Sequence, residues 1–354
     1  LRDCGDWGAV GAGDPRSRFE DHGKAIVFFA SAVAFDPERT LDRSTPAAGM
    51  LQVARVAAIE LSNTKIIRGF GCLTLMLFWR IYVTIAVIWQ EDGCQWCAAD
   101  TRLVAGDDDR PATEIAAKIY AIPVVVSAMG NGFPRQPHYW TQYGFVYAGA
   151  ALPAAMTAVT ASTLLQKLTR PGGQADPPTF EQTAEFMCRL AKRFMTERRQ
   201  FGSDGKFCAA FFVWCPHEAI YKLAYINGRD DAGGFRVELT YPAPPRVDGD
   251  PWLVLGSGAK TFESTLAEYR NSEEQISKRV PRRVIEKMVD ETPDRTVGGA
   301  TSIGMARQNG FDLFYAVEPI TRGQPEARRI FNGLDLDTEI GPIGQYHVAI
   351  MGLA

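Results

Sequence analysis

A mixed α+β chain is what this sequence predicts, with two antiparallel sheets stacked between outer layers of helices, an αββα sandwich. Three observations carry that expectation. From residue 84 onward the pattern runs strands, two helices, strands, two helices, strands. The strands are short and apolar, and several neighbouring ones are joined by polar or glycine-bearing turns, as antiparallel pairs are. The helix that Thr179 opens carries an apolar stripe, which must be buried on something.

The elements follow in order. "TIAVIW" and "CQWCAAD" read as two strands joined by the polar turn "QEDG". "AAKIYAI" and "VVVSAMG" read as a second hairpin with Pro123 at the junction, and "NGFPRQPHYWTQYG" as a loop rich in Pro, Gly and aromatics. "GAALPAAMTAVTASTLLQKL" reads as a helix with small residues on several faces, hence one buried between neighbours. After "RPGGQADPP", Thr179 opens another helix, and Gln182 completes a capping box. Phe180, Ala184, Met187, Ala191 and Phe194 fall three or four apart on one face of it. Its basic end, "KRFMTERRQ", suits a solvated C-terminus. Strands resume at "KFCAAFFVWC", "IYKLAYI", "GFRVELTY" and "WLVLGSG". The helices "AKTFESTLAEYR" and "RRVIEKMVDE" come next, and "TSIGMARQNGFDLFYAVE" reads as a closing strand pair.

Composition excludes several functions. The chain has 354 residues, 38 basic against 41 acidic, and a net charge of −3, so nothing marks a nucleic-acid polyanion as its partner. Seven cysteines in such a length do not make a disulfide scaffold. Cys94 and Cys97 form a CxxC inside a strand, with no second ligand pair at zinc spacing, so they read as strand residues. The acidic run Asp107, Asp108, Asp109 reads as a solvated loop. His138, His217 and His347 have no spacing that suggests a triad or a metal. No cofactor and no metal are expected.

Residues 1–83 differ in texture from 84–354 and are read as an N-terminal extension beside one domain. "GAVGAGDP" is glycine-rich but has no strand before it and no amphipathic helix after it, unlike a nucleotide loop. "GMLQVARVAAIEL" reads as one helix. "KAIVFFASAVAF" (24–35) is preceded by acidic rather than basic residues, the wrong polarity for a secretory signal. Residues 72–89 approach membrane-spanning length, yet Arg80 sits at the midpoint and the second half alternates like a strand. A cytoplasmic protein without a membrane anchor is the expectation.

Over residues 84–315 the chain resembles the N-terminal-nucleophile hydrolases, and among them the proteasome β-subunits and their bacterial ring-peptidase relatives. The residues that carry the resemblance are Thr84 at the start of a strand, "CAAD" ending in Asp100, Lys118 on the next strand, "GSG" at 256–258 before a helix, and "DRTVGG" beginning at Asp294. What it implies is a threonine-type peptidase or amidohydrolase, and a homo-oligomeric ring that acts on a peptide or amide. An unfolding ATPase would be a conceivable partner. Thr84 would be the nucleophile and its own α-amine the base. Lys118 would favour the neutral amine and stabilise a developing alkoxide, with Asp100 fixing the lysine. Ser257 and Asp294 would hold the amine and a relaying water, and N–H groups around Gly256 and Gly258 would meet the oxyanion. The residue types suit the chemistry, because an α-amine titrates near 7.7–8.0 and an alcohol needs a base to give up its proton.

Plainer readings stand beside these. Asp100 and Arg102 would form a strand-end ion pair, Lys118 would point outward, and Ser257 would be a turn residue. Two features depart from the family pattern. Val297 stands where the family has a serine. Thr84 is internal, so its nitrogen is in a peptide bond until the chain is cut or starts there. The preceding Val83, where a propeptide usually has glycine, and the leading Leu1 lead to two expectations for residues 1–83: an over-extended reading frame, or a propeptide. Two other functions remain open on these residues, a non-catalytic ring subunit and a small-amide hydrolase.

Overall fold

The computed structural model of the protein describes residues 84–105, 110–130, 133–170, 176–271, 279–291, 294–317 and 328–353. The expectations for the glycine-rich loop, the early helix, the 24–35 segment and Asp107–Asp109 lie outside the described residues.

The first strands are β1 (Ala86–Glu91) and β2 (Cys94–Asp100), joined at Asp92 and Gly93 with φ of 53° and 68°. Two consecutive positive φ values make the primed turn that matches strand twist, which is why an Asp-Gly pair stands there. A small hairpin follows, β3 (Leu103–Ala105) with β4 (Arg110–Thr113). Then come β5 (Ile119–Gly130), β6 (Phe133–Gly149), α1 (Ala151–Leu165) and β7 (Leu168–Arg170). Next are α2 (Phe180–Gln200), β8 (Phe207–Cys215), β9 (Ile220–Asp231), β10 (Gly234–Thr240) and β11 (Pro251–Leu255). The chain continues with α3 (Ala259–Asn271), α4 (Val280–Glu291), β12 (Thr301–Arg307) and β13 (Gly310–Val317). It closes with β14 (Arg329–Phe331), β15 (Leu334–Asp335), a π-helical turn at Leu336–Ile340 and β16 (Met351–Leu353).

The strands form an eight-stranded sheet ordered β11-β1-β2-β12-β13-β14-β15, with β16 parallel on β13, and a six-stranded sheet ordered β10-β9-β8-β6-β5-β7. The class is α+β. Three apolar cores account for the packing. One joins Phe145, Tyr147 and Phe211 of the six-stranded sheet to Ala154, Ala158, Met187 and Ala191 of α1 and α2. A second joins Ile85, Trp89, Ala98 and Ile303 on the eight-stranded sheet's side to Phe262, Val284, Ile285 and Met288 of α3 and α4. The third draws Ala86, Ile88, Cys97 and Phe311 from the eight-stranded sheet and Val146, Ala210, Phe212 and Leu223 from the six-stranded one. In that third core the rings of Phe212 and Phe311 meet edge to face at 5.4 Å. Gly144 and Gly304 lie directly against these rings, where a Cβ would come within 2.4 and 2.3 Å of them.

Several sequence expectations are corrected here. Pro123 does not break a hairpin, since β5 runs through it and pairs it with Gln142. The other edge of β5 is paired only at 126–128, by β7, so a missing N–H at 123 costs no ladder bond there. The proline-rich 131–144 stretch is not a loop: from Phe133 it belongs to the 17-residue β6, with Pro134 and Pro137 taken up at irregularities in register. Helix α1 is not buried on every side, since Leu152, Met156 and Val159 are exposed along one face. The capping box at Thr179 and Gln182 is present. Met195 rather than Phe194 completes the buried face of α2. Among the described residues no helix is long and apolar enough to cross a membrane.

Candidate functional site

The strand ends around Thr84 bring three of the expected residues into contact. Thr84 leads into β1 and is buried, only 4% exposed. Asp100 ends β2, one register step beyond the Ala86–Ala99 pair, so the hairpin alone sets it beside the start of β1. Its Oδ1 accepts the Ile85 N–H at 3.1 Å, and its Oδ2 accepts the Gly298 N–H at 3.3 Å. Lys118 immediately precedes β5, and its carbonyl accepts the Tyr147 N–H of β6. From there Lys118 Nζ donates to Asp100 Oδ1 at 2.7 Å and to Thr84 Oγ1 at 3.3 Å. Lys118 is therefore not an outward-pointing strand residue: both members of the ion pair are fully buried.

Burial dominates the electrostatics of this pair. Loss of water pushes Lys118 down from the ordinary lysine value, and the adjacent Asp100 charge opposes that shift. The same loss of water pushes Asp100 up, against Lys118 and the two backbone donors. Burial thus shifts each member of the pair toward its neutral form, with the lysine nitrogen held against a hydroxyl.

Gly256 borders Thr84, and Gly258 borders its neighbour Ile85. Gly256 has φ +93°, and a Cβ there would lie 1.7 Å from the Thr84 carbonyl oxygen. Its own N–H is within hydrogen-bonding reach of the Cys208 sulfur. A Cβ on Gly258 would stand 3.3 Å from both Ile85 Cβ and Val297 Cγ2. Ser257 lies between them, exposed in the turn that leads into α3. The positive end of that helix is thus set close to Thr84.

Asp294 organises its own turn. Its Oδ1 accepts from Thr296 Oγ1 at 2.6 Å and from the Thr296 N–H at 3.1 Å, and its carbonyl accepts the Val297 N–H. That turn delivers the Gly298 N–H to Asp100. Val297 is fully buried in the core with Ile85, Val284 and Met288. Its side chain serves packing.

Arg102 does not pair with Asp100. Its Nε donates to both Glu114 carboxylate oxygens at 3.0 and 2.9 Å, and its Nη1 donates to the carbonyls of Arg295 and Val297 at 2.7 and 3.1 Å. Thr101 Oγ1 donates to the Glu114 carbonyl at 2.5 Å and accepts the Ala300 N–H at 2.7 Å. These two residues clasp the segment before Lys118 to the turn after Asp294. Sequence reading saw Arg102 but not Glu114, because 12 residues and the β3–β4 hairpin separate them and no local period links them. Cys208 was likewise passed over as an ordinary strand residue.

Cys94 and Cys97 lie on β2, with Cys97 fully buried and pushed up in pKa by burial. Among the described residues no group of His, Cys, Asp and Glu could hold a metal ion.

No protein-family model matches the chain, and no curated protein matches it. Among solved structures it is similar to Anbu from Hyphomicrobium sp. strain MC1, at 16% identity over 73% of this chain and 90% of that one, with a TM-score of 0.41. It is also similar to the helical assembly of the Anbu complex from Pseudomonas aeruginosa, at 13% identity over 65% and 85%, with a TM-score of 0.43. These neighbours correct the resemblance drawn from sequence, since they are Anbu proteins and not proteasome β-subunits.

Proposed function

We propose that the chain is a threonine-type amidohydrolase or peptidase with Thr84 as nucleophile. The observation that carries this reading is the buried contact of Lys118 Nζ with both Asp100 and Thr84 Oγ1. A buried lysine–carboxylate pair is costly to place, and one set against a hydroxyl at a strand start suits nucleophile activation.

In the proposed reaction Thr84 Oγ1 attacks the substrate carbonyl carbon while its proton passes to the α-amine of Thr84. Lys118 lowers the energy of the developing alkoxide, and Asp100 holds the lysine. The oxyanion is met by N–H groups around Gly256–Gly258, at the start of α3; since the Gly256 amide faces Cys208, Gly258 is the stronger of the two. The C–N bond then breaks, the amine leaves with the proton, and water hydrolyses the ester on Thr84. Ser257 and Asp294 are proposed to hold the amine and its water.

The α-amine is free only after the Val83–Thr84 bond is absent. We therefore read 1–83 as an extension that the working protein lacks and 84–354 as the catalytic domain. The three cores support a four-layer order of helices, six-stranded sheet, eight-stranded sheet and helices. A homo-oligomer suits the exposed Leu152, Met156 and Val159 on α1, a helix without one charged residue. A peptide or amide is the substrate class, and an unfolding ATPase remains a partner to test by co-purification.

The deciding experiment is the intact mass and N-terminal sequence of the protein from its host, together with reaction with a peptide boronate. A chain beginning at Thr84 that carries one boronate adduct supports the reading. A chain that keeps the extension and takes no adduct favours a second reading, a non-catalytic subunit, for which the buried Val297 is the specific observation.

A further inference from the structure

The C-terminal part of the chain carries a feature that the proposed chemistry does not absorb. Between β14 and β15 a two-residue turn, Asn332–Gly333, has φ of 51° and 84°, the geometry of an Asn-Gly primed turn. The turn is not a free surface tip. Asn332 Oδ1 accepts from Ser302 Oγ at 2.7 Å. Ser302 lies on β12 opposite Ala99, and its neighbour Thr301 lies opposite Asp100. On the other side, a Cβ at Gly333 would stand 2.9 Å from Ile115 Cγ2 and 3.2 Å from the Glu114 carbonyl oxygen.

One turn therefore touches the strand that faces Asp100 and the segment three residues before Lys118. The Glu114 carbonyl it packs on is the one that accepts from Thr101 Oγ1, and the Glu114 carboxylate is the one held by Arg102. The segment that carries Lys118 is thereby fixed from two sides, by Thr101 and Arg102 and by the C-terminal hairpin. From this geometry we infer that Asn332 and Gly333 are positioning residues that hold Lys118 in register with Asp100 and Thr84. The inference rests on the proposed function for its catalytic consequence, while its structural content, the fixing of residues 114–118, stands apart from it.

Three variants of the full chain test it. Asn332→Gly removes the bond to Ser302 and keeps the positive φ accessible. Asn332→Asp keeps an acceptor at that place. Gly333→Ala pushes a methyl into Ile115 and Glu114. The readouts are hydrogen–deuterium exchange of the 114–118 peptide, acylation of the buried Lys118 followed by mass spectrometry, and kcat and KM on a peptide amide. Asn332→Gly and Gly333→Ala are expected to speed exchange and Lys118 acylation at least tenfold with the fold retained, and Asn332→Asp to stay near wild type. Kinetically, kcat is expected to fall about tenfold or more with KM within about twofold, as misplaced catalytic groups do. Unchanged exchange and acylation in both disruptive variants overturn the inference. A wild-type protein that turns over nothing overturns the proposed function instead, and exchange and acylation still decide the role of the turn.

Discussion

Gly256 lies so close to Thr84 that a methyl group in place of its hydrogen would stand 1.7 Å from the Thr84 carbonyl oxygen. With φ at +93° the position is also closed to other residues on backbone grounds. Gly256→Ala must displace the start of β1 or the end of β11, and is expected to cost about 3 kcal/mol or more, combining strain with overpacking. Urea unfolding checks it. A loss within about 0.5 kcal/mol, the range of neutral surface changes, would mean the contact is not as tight as drawn.

The Lys118–Asp100 pair makes a prediction about coupling. Removing either partner leaves a buried charge or an unpaired polar group, so Lys118→Met and Asp100→Asn should each destabilise by about 3–5 kcal/mol. The double variant should lose clearly less than the sum of the two. A double-mutant cycle by chemical denaturation measures this, and strict additivity would show that the two side chains do not act on each other.

Asp100 also sets a pH dependence. Asp100 raises Lys118 while burial lowers it, so Asp100→Asn leaves the lysine further below its ordinary 10.5. If the lysine cation supports the alkoxide, the alkaline limb of the rate profile moves toward neutral pH in this variant. Stability follows the same sign: between the depressed folded value and 10.5 the unfolded chain binds more protons, so stability rises with pH in that window. A pH–rate profile of Asp100→Asn with an unshifted alkaline limb would remove Lys118 from the proposed mechanism.

Val297 offers a test of whether a hydroxyl is accommodated in the turn after Asp294. Its side chain fills the core between Ile85 and α4, so Val297→Ser buries a hydroxyl among apolar neighbours. The expected cost is about 1–3 kcal/mol, with no gain in turnover. A serine variant that is as stable as the parent and faster would show that the hydroxyl reaches the reacting groups.

Much of this architecture was legible before any tertiary contact was known. The short apolar runs "TIAVIW" and "CQWCAAD", the Asp-Gly turn between them, and the capping box at Thr179 are local signals, written within a few residues of where they act. The pairing of Ile85 with Asp100 is nearly local too, because a tight hairpin turn fixes the register of the two strands it joins. Lys118 came from a resemblance rather than a period, and its contact with Asp100 needed the 114–118 segment to be held from outside.

Other features were settled only by the tertiary structure. The prolines at 134 and 137 argue for a loop, yet the ladder with β5 and the core under Tyr143 and Phe145 override that local preference. Arg102 could choose among several acids, and burial of the turn after Asp294 selected Glu114 and two carbonyls. The Asn332–Gly333 turn has a plain hairpin signature, but nothing in its own residues tells that it seats against Ile115. Local periodicity and turn chemistry determine which elements form. Which partners meet across more than a hundred residues is decided by the shared burial of apolar faces, and that depends on all the elements at once.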